Sequence, residues 1–458
     1  MKQVKSTMKK CLLAFAFLLV FGAMLMTGSV EAKAKEVKLH PFLVSAGQGE
    51  TGKDGVYTIG KWGFQDDKGN IVIEPIYESV GDFSEGLCAV QTEEEGFYIN
   101  TKGEKVISFE DSTLPAKGGM FKDGTAVVMI RNAELLWEDI LIDKNGNRLN
   151  KTSYESIRRL DNGYFYCEIK TRPTEEQKYE VVDKTGKVIL KDKAFKKDGD
   201  RRVTMDKAGE KGFILRSYVP FEYSSKYAVY NLKGKKILNY KKDNPYELHG
   251  DTIWEWDGKK YIIYNWSGKK IGSTKNDYKE GYISDKGKVL INAKKYDYAG
   301  DFIDGVALVG KSGKYSLINE KGKVIKNLPK VYRVERITSG LILLEKKNGS
   351  QALMNTKGKY VFKFGKAGNV KNRSTTTSGG YEVELVEFIQ NGKLGVLSGE
   401  TGKVLVPAEY EEGTGFSPDV TETYRSIRVQ VGTGRYVLYD FDGVKIGSYK
   451  GDLSRLHY

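Results

Sequence analysis

The chain reads as an all-β protein built from tandem repeats, and three observations predict this. A turn of the form Asp/Asn, two residues, then Gly recurs along it, with its glycines at Gly69, Gly103, Gly146, Gly186, Gly234, Gly268, Gly287, Gly322, Gly358, Gly402 and Gly443. Short β-prone runs flank each turn, such as Tyr179–Asp183 before Gly186 and Lys187–Leu190 after it. No segment of ordinary helical length shows a helical period. An Asx residue opening the turn bonds the backbone ahead of it, and Gly at the close accepts positive φ, so each copy predicts a hairpin with a three-residue loop and a bulge.

Successive turn glycines lie 34, 43, 40, 48, 34, 19, 35, 36, 44 and 41 residues apart. A unit of roughly 40 residues holds four short strands, the content of a propeller blade, which buries its faces against its neighbours. A propeller-like array follows, and two rings of roughly five to seven blades suit the count better than one. A β-solenoid or a superhelix of hairpins is the alternative. The short interval falls between Gly268 and Gly287, where Tyr261–Ser273 echoes Tyr436–Ser448 as if two arrays ended alike. The expected organisation is therefore a leader over residues 1–34, a first array over 35–275 and a second over 276–458. Arg172–Gln177 and the Gly/Ser/Thr-rich stretch Gly365–Gly380 read as loops inserted between strands.

The fullest unit is Lys61–Val90, KWGFQDDKGNIVIEPIYESVGDFSEGLCAV. Trp62 and Gly63 open it, a turn at Asp67-Lys68-Gly69 follows, then the apolar run Ile71–Ile73, a Pro75/Tyr77 link and the closing Gly86–Val90. These residues resemble the WG-repeat (WG/KWG β-repeat) family of bacterial proteins, whose units read roughly as KWGYIDKKGKIVI, PPKYD and DFSEGLAAV. Later copies drift: the Trp-Gly step becomes Gly281-Tyr282, Tyr315-Ser316 and Leu394-Gly395. The resemblance implies a repetitive β-scaffold, often exported, without a common catalytic residue set. It also makes Trp62 a core residue.

At the N-terminus, Lys2, Lys5, Lys9 and Lys10 precede an uncharged, mostly apolar run from Cys11 to Met26, followed by Ala32-Lys33-Ala34. That is the order of a cleaved signal peptide, with cleavage near Ala32 and Ala34. The run is shorter than the roughly 20 residues that span a bilayer, so a retained anchor is the lesser reading. A secreted or envelope-associated protein is expected. The formal net charge is +14, and the leader carries five lysines and one glutamate, leaving about +10 on the exported chain. Such a charge favours anionic partners, which outside the cell are envelope polymers and lipid head groups before nucleic acid.

Candidate chemistry is sparse. The three histidines, His40, His249 and His457, have no zinc-like spacing and read as surface or structural residues. Cys88 and Cys167 sit in apolar runs and read as core thiols, a disulfide between them being the alternative. Asp143–Asn147 lacks the glycine and glutamate positions of a calcium loop and reads as a turn. Asp297, Asp301 and Asp304, like Asp440 and Asp442, fit turns and strand ends better than a cation site. Glu382 and Glu384 alternate along one strand, as on a solvated face, with Glu387 the third acid of that run. No catalytic, cofactor or metal set is expected.

One periodic feature stands out. Lys68, Lys102, Lys187, Lys235, Lys269, Lys288, Lys323 and Lys359 flank the turn glycines, so equivalent turns place them along one basic ridge. Trp254, Trp256 and Trp266 with the 29 tyrosines offer stacking surfaces that blade packing also explains. The sequence points to an exported, non-enzymatic binding module for a protein or an anionic envelope polymer or membrane surface. An envelope scaffold is the alternative, and an exported carbohydrate-active hydrolase a more distant one.

Overall fold

The computed structural model describes residues 38–450 apart from 45–59, 111, 161, 172–176, 196–201, 223, 243–244, 250–251, 275–281, 284–288, 292–294, 365–367, 379–380 and 421–424. The expected leader with Ala32 and Ala34, the boundary near residue 275, Gly287, Lys288 and the loop 172–176 lie outside the described residues. Leu39–Tyr458 forms one compact unit. Among the described residues every sheet is antiparallel, one short 3-10 turn at Asp192–Ala194 is the nearest approach to a helix, and no helix is long and apolar enough to cross a membrane.

The sheets follow one another in chain order, each a meander of neighbouring strands and counted as a repeat. The second runs from Ser79 to Ser108, the fifth from Arg202 to Lys242, the sixth from Tyr246 to Thr274, the seventh is the pair Tyr282–Ile283 and Val289–Ile291, the eighth runs from Tyr298 to Asn327, the tenth from Gly368 to Tyr410 and the eleventh from Gly415 to Lys450. The ninth repeat shows the plan, with strands Arg333–Arg336, Leu341–Glu345, Gln351–Asn355 and Tyr360–Phe362 paired in sequence. The first repeat has three strands, His40–Val44, Lys61–Gln65 and Ile71–Tyr77. The third and fourth merge into a seven-stranded sheet over Lys117–Leu190 through the single pair Asp139 and Tyr154. The stretch Gly365–Gly380, expected as a loop, is mostly a strand: Gly368–Ser378 pairs along its length with Tyr381–Gln390. Its small residues read as a linker, yet Val370 and the Thr375–Thr377 run suit a pleated surface once a partner strand is present.

Each Asx-Gly turn closes the last hairpin of its sheet. The ten described turn glycines have φ between +72° and +81°. The register shifts by a residue beside the turns, as between Ile318 and Leu317 in the eighth repeat, which is the predicted bulge. The Asx side chain secures the loop: Asn319 Oδ1 accepts from the backbone N–H groups of Lys321 and Lys323 at 3.1 and 2.9 Å, and Asp143 does the same for Asn145 and Asn147. The tenth repeat departs, with Ser398 in the Asx place and one extra residue before Gly402.

The turns also stack the array. A Cβ on Gly103 would meet Ile73 of the preceding repeat at 3.4 Å, one on Gly146 would meet Ile107 at 2.8 Å, and one on Gly322 would meet Ile291 at 3.2 Å. These turns thus rest on the last strand of the sheet before them. The glycine of the Trp-Gly step has a separate reason. A Cβ on Gly63 would lie 2.6 Å from the Ile73 carbonyl oxygen, and one on Gly395 would lie 2.7 Å from that of Val406. The bulged last strand presses its backbone against the strand beside it there, and only hydrogen fits.

Apolar clusters lie between sheets. Tyr98 and Ile107 of the second repeat pack with Phe121 and Val128 of the third, Leu308 and Leu317 of the eighth with Ile342 and Leu344 of the ninth, and Val396 of the tenth with Ile427 of the eleventh. Each fully buried side chain of this size contributes about 1.5–3 kcal/mol, so the interfaces between repeats carry most of the stability. Leu39, Leu43, Trp62 and Phe64 of the first repeat share one cluster with Leu438 and Ile446 of the last, so the two ends of the array meet. Trp62 is 2% exposed within it.

Candidate functional site

In a four-strand meander the turns joining strands one to two and three to four share one edge of the sheet, and the turn joining two to three lies on the other. The Asx-Gly turns therefore lie along a single edge of the array. Lys68, Lys102, Lys187, Lys235, Lys269, Lys323 and Lys359 are all exposed there. Their backbones are fixed: Lys68 and Lys102 donate N–H to Asp66 and Asn100, and Lys187, Lys235, Lys269, Lys323 and Lys359 to Asp183, Asn231, Asn265, Asn319 and Asn355, all within 2.8–3.1 Å. The capping acids stay ionised: Asp66 and Asp143 are held below the usual carboxylate range, foremost by the side-chain amides of Asn70 and Asn147.

On the same edge a cleft of about 610 Å³ opens among the turns of the eighth to eleventh repeats. Asp304, Arg336, Ser339, Glu384, Glu400 and Arg425 line it, and no histidine or cysteine does. Most of this charge is spent on structure. The Arg336 guanidinium donates to the carbonyls of Val306 at 2.8 Å, Ile303 at 3.4 Å and Ser339. Glu384, expected on a solvated face, is half-buried and accepts from the Ser339 N–H at 2.9 Å and from its hydroxyl. The expectation failed because alternation along a strand does not reveal that the next sheet presents a turn in need of an acceptor.

A second polar group joins the ends of the array. His40 is 1% exposed; its Nδ1 lies 2.5 Å from Asp440 Oδ2 and its Nε2 lies 2.9 Å from Asp67 Oδ1. Asp440 opens the last Asx-Gly turn, and its Oδ1 accepts from the N–H groups of Asp442 and Val444. Beside it the Arg425 side chain reaches Asp82 Oδ2 at 3.4 Å, and its backbone N–H donates to the same oxygen. The hydrogen bond that the His40 ring donates to Asp440 raises the His40 pKa above its ordinary value, while burial, opposed by Arg425, pushes Asp82 up to about 6. His40, Asp440 and Asp442 hold ligand-type atoms within 4.8 Å of one another, but their bonds already serve as a latch between the first and last repeats. Sequence reasoning missed this pairing because its members are 400 residues apart.

The remaining candidates stand apart. His249 lies 3.1 Å from Glu247 and 3.6 Å from Asp301 and packs against Trp254. Asp297 accepts from the Ser312 N–H, and Asp304 sits in a tight turn with φ +51°. Trp266 fills the space over Gly209 and Gly212. Cys88 and Cys167 are buried free thiols, and burial pushes both thiol pKa values well up. His457 lies outside the described residues.

No curated protein sequence matches the chain. Among solved structures it is similar to a eukaryotic initiation factor (12% identity, TM-score 0.31, 66% of this chain and 83% of that one) and to BamB from Moraxella catarrhalis (10%, 0.26, 65% and 88%). It is also similar to oligopeptidase B from Leishmania major (10%, 0.27, 78% and 64%). The family described as WG containing repeat matches residues 62–94 and 281–315. The first match runs from the second strand of the first sheet through the second strand of the next, and the second from the two-stranded seventh sheet into the third strand of the eighth, so the sequence unit straddles two structural ones. The chain thus carries WG-family β-repeats at two places, residues 62–94 and 281–315.

Proposed function

We propose that this chain is an exported, non-enzymatic repeat module whose lysine-bearing edge holds an anionic polymer of the cell envelope. The observation that carries the reading is the set of seven exposed lysines whose backbones are clamped at the Asx-Gly turns of seven repeats. Fixed spacing matters because each exposed ion pair contributes only about 0.2–1 kcal/mol, so useful affinity has to come from several charges acting at once. A long polyanion supplies that multiplicity and a small anion does not. The spent charges of the cleft support a scaffold reading of that feature rather than a catalytic one, since Arg336 and Glu384 already bind neighbouring turns. The N-terminal leader supports export.

The test is cosedimentation with purified envelope polymer at 0.05 and 0.5 M salt, using the exported chain and a variant with Lys187, Lys235, Lys269, Lys323 and Lys359 changed to Gln. Wild type should bind at low salt and release at high salt, and the variant should bind at least about tenfold more weakly, as the loss of five such pairs implies. Equal retention of both forms sinks the ridge. Retention of an acidic protein with no polymer binding would favour the protein-partner alternative.

A further inference from the structure

The turns joining strands two and three lie on the edge opposite the lysines, and they divide by composition. In the eighth to eleventh repeats they are polar and carry glycine: Ser312-Gly313, Asn348-Gly349, Asn391-Gly392 and Thr433-Gly434. In the third, fifth and sixth they expose large apolar side chains: Leu135, Leu136 and Trp137 are 56, 46 and 40% exposed, Phe221 is fully exposed and Trp256 is 37% exposed. Two of these residues sit in a backbone region that costs energy. Leu135 has φ +63° and Phe221 φ +67°, where a bulky side chain is a genuine outlier.

The third-repeat tip makes the contrast sharp, because it is the Asx turn again with its last position changed. Asn132 Oδ1 accepts from the N–H groups of Glu134 and Leu136, and the Leu135 N–H donates to the Asn132 carbonyl, as in Asn319-Glu-Lys-Gly322. Leucine occupies the place that glycine holds in Asn319-Glu-Lys-Gly322. A strained backbone that displays apolar surface to solvent gives nothing to the fold, and such strain is characteristic of contact sites. Leu114, 41% exposed, extends the patch, since Thr113 bonds the Arg131 carbonyl beside it.

Cations accompany these tips. Arg131 Nε donates to the Leu135 carbonyl at 3.0 Å, Lys170 Nζ to the Trp137 carbonyl at 2.7 Å, and exposed Lys259 follows Trp256 by three residues. Glu134 and Glu222 lie among them, while the Asp257 carboxylate is engaged by the N–H groups of Lys259 and Lys260. Leucine, phenylalanine and tryptophan at projecting tips, with lysine and arginine stems beside them, match the interface of an anionic bilayer, where apolar groups enter below the head groups and cations pair with phosphate. We propose that this edge, through the tips of its third, fifth and sixth repeats, inserts apolar side chains into an anionic lipid surface, leaving the lysine edge facing away.

The test uses the exported chain with vesicles of mixed phosphatidylglycerol and phosphatidylcholine and with phosphatidylcholine alone, at 0.15 M salt. The variant Leu135→Gly/Leu136→Ser/Phe221→Ser removes apolar tips and relieves strain at one of them, so its Tm should not fall. Wild type should cosediment with the anionic vesicles, and the variant should bind at least about tenfold more weakly, given the loss of three large apolar side chains. The five-lysine variant of the opposite edge should bind these vesicles as wild type does, which separates this proposal from the ridge. Absence of wild-type binding, unchanged binding by the tip variant, or equal binding to the neutral vesicles would overturn it. So would a wild-type dimer that the tip variant dissolves, because the patch would then be an interface between copies.

Discussion

His40→Gln tests how the two ends of the array are held. The substitution removes a buried ring whose Nδ1 lies 2.5 Å from Asp440 and whose Nε2 lies 2.9 Å from Asp67. A hydrogen bond to a charged group contributes about 1.5–3 kcal/mol. The two bonds are unequal: the Asp440 side chain is 6% exposed and that of Asp67 is 71% exposed, so solvent screens the second to a few tenths. The expected cost is therefore about 2–3 kcal/mol at pH 6, nearly all of it through Asp440. Glutamine can keep one weaker bond but cannot carry charge, so the pH dependence is the sharper signature.

The pKa of His40 is raised in the folded chain, so its contribution is fully present below the unfolded value of 6.5 and is lost as pH rises through the folded value. Asp82 has the same sign, since its folded pKa of about 6 lies above the ordinary 3.8 of an aspartate; its contribution fades between those two values as pH rises. Wild type and His40→Gln share the Asp82 term, so it cancels in their difference. That difference should be flat from pH 5 to 6 and shrink steadily above 6.5. Urea unfolding across pH 5–9, paired with hydrogen exchange of the Asp442 and Val444 amides that Asp440 caps, reads both the size and the place of the effect. A difference that stays constant from pH 5 to 9, or amides at the seam that exchange no faster in the variant, would refute the latch.

Three other outcomes follow from single contacts. Gly63→Ala puts a Cβ 2.6 Å from the Ile73 carbonyl oxygen and 2.8 Å from the Pro75 nitrogen, so the bulged strand has to move; a loss of about 2–4 kcal/mol is expected in chemical denaturation, and a loss under 1 would mean the strand yields freely. Asn319→Ala removes the caps on the Lys321 and Lys323 amides and should lower stability by about 1 kcal/mol, whereas Lys323→Gln should leave it within about 0.5, so the two variants separate the turn's structural residue from its surface one. Cys88 and Cys167 should resist a thiol reagent in the folded chain at pH 8 and react on unfolding, because each is buried and its thiolate is disfavoured; labelling at the rate of a free thiol would contradict their placement.

Much of the fold was legible because it is written in local chemistry. An Asx residue and a glycine three places on specify a turn without reference to the rest of the chain, and the hairpins at Gly103, Gly186 and Gly322 sit where that signal put them. Features that depend on a neighbouring sheet were not legible. Glu384 alternates with apolar residues as a solvated acid does, yet the adjacent Ser339 claims it. Gly368–Ser378 has a linker's composition and becomes a strand because Tyr381–Gln390 lies ready to pair with it. His40 is an isolated histidine until the last repeat brings Asp440 against it.

The apolar tips sharpen the same point from the other side. The Asx-Gly rule that located the repeats also hid Asn132–Leu136, which has the turn's hydrogen bonds but not its glycine. The rule is broken there at a cost, and glycine would relieve strain that leucine keeps. The lysines on one edge can be explained by solubility, since charge on exposed turns is favourable in any array. A leucine and a phenylalanine at positive φ have no such explanation, because a smaller or more polar residue would fold better at either position. Of the two edges, the one without the conspicuous sequence signal therefore makes the stronger structural case for contact with something outside the chain.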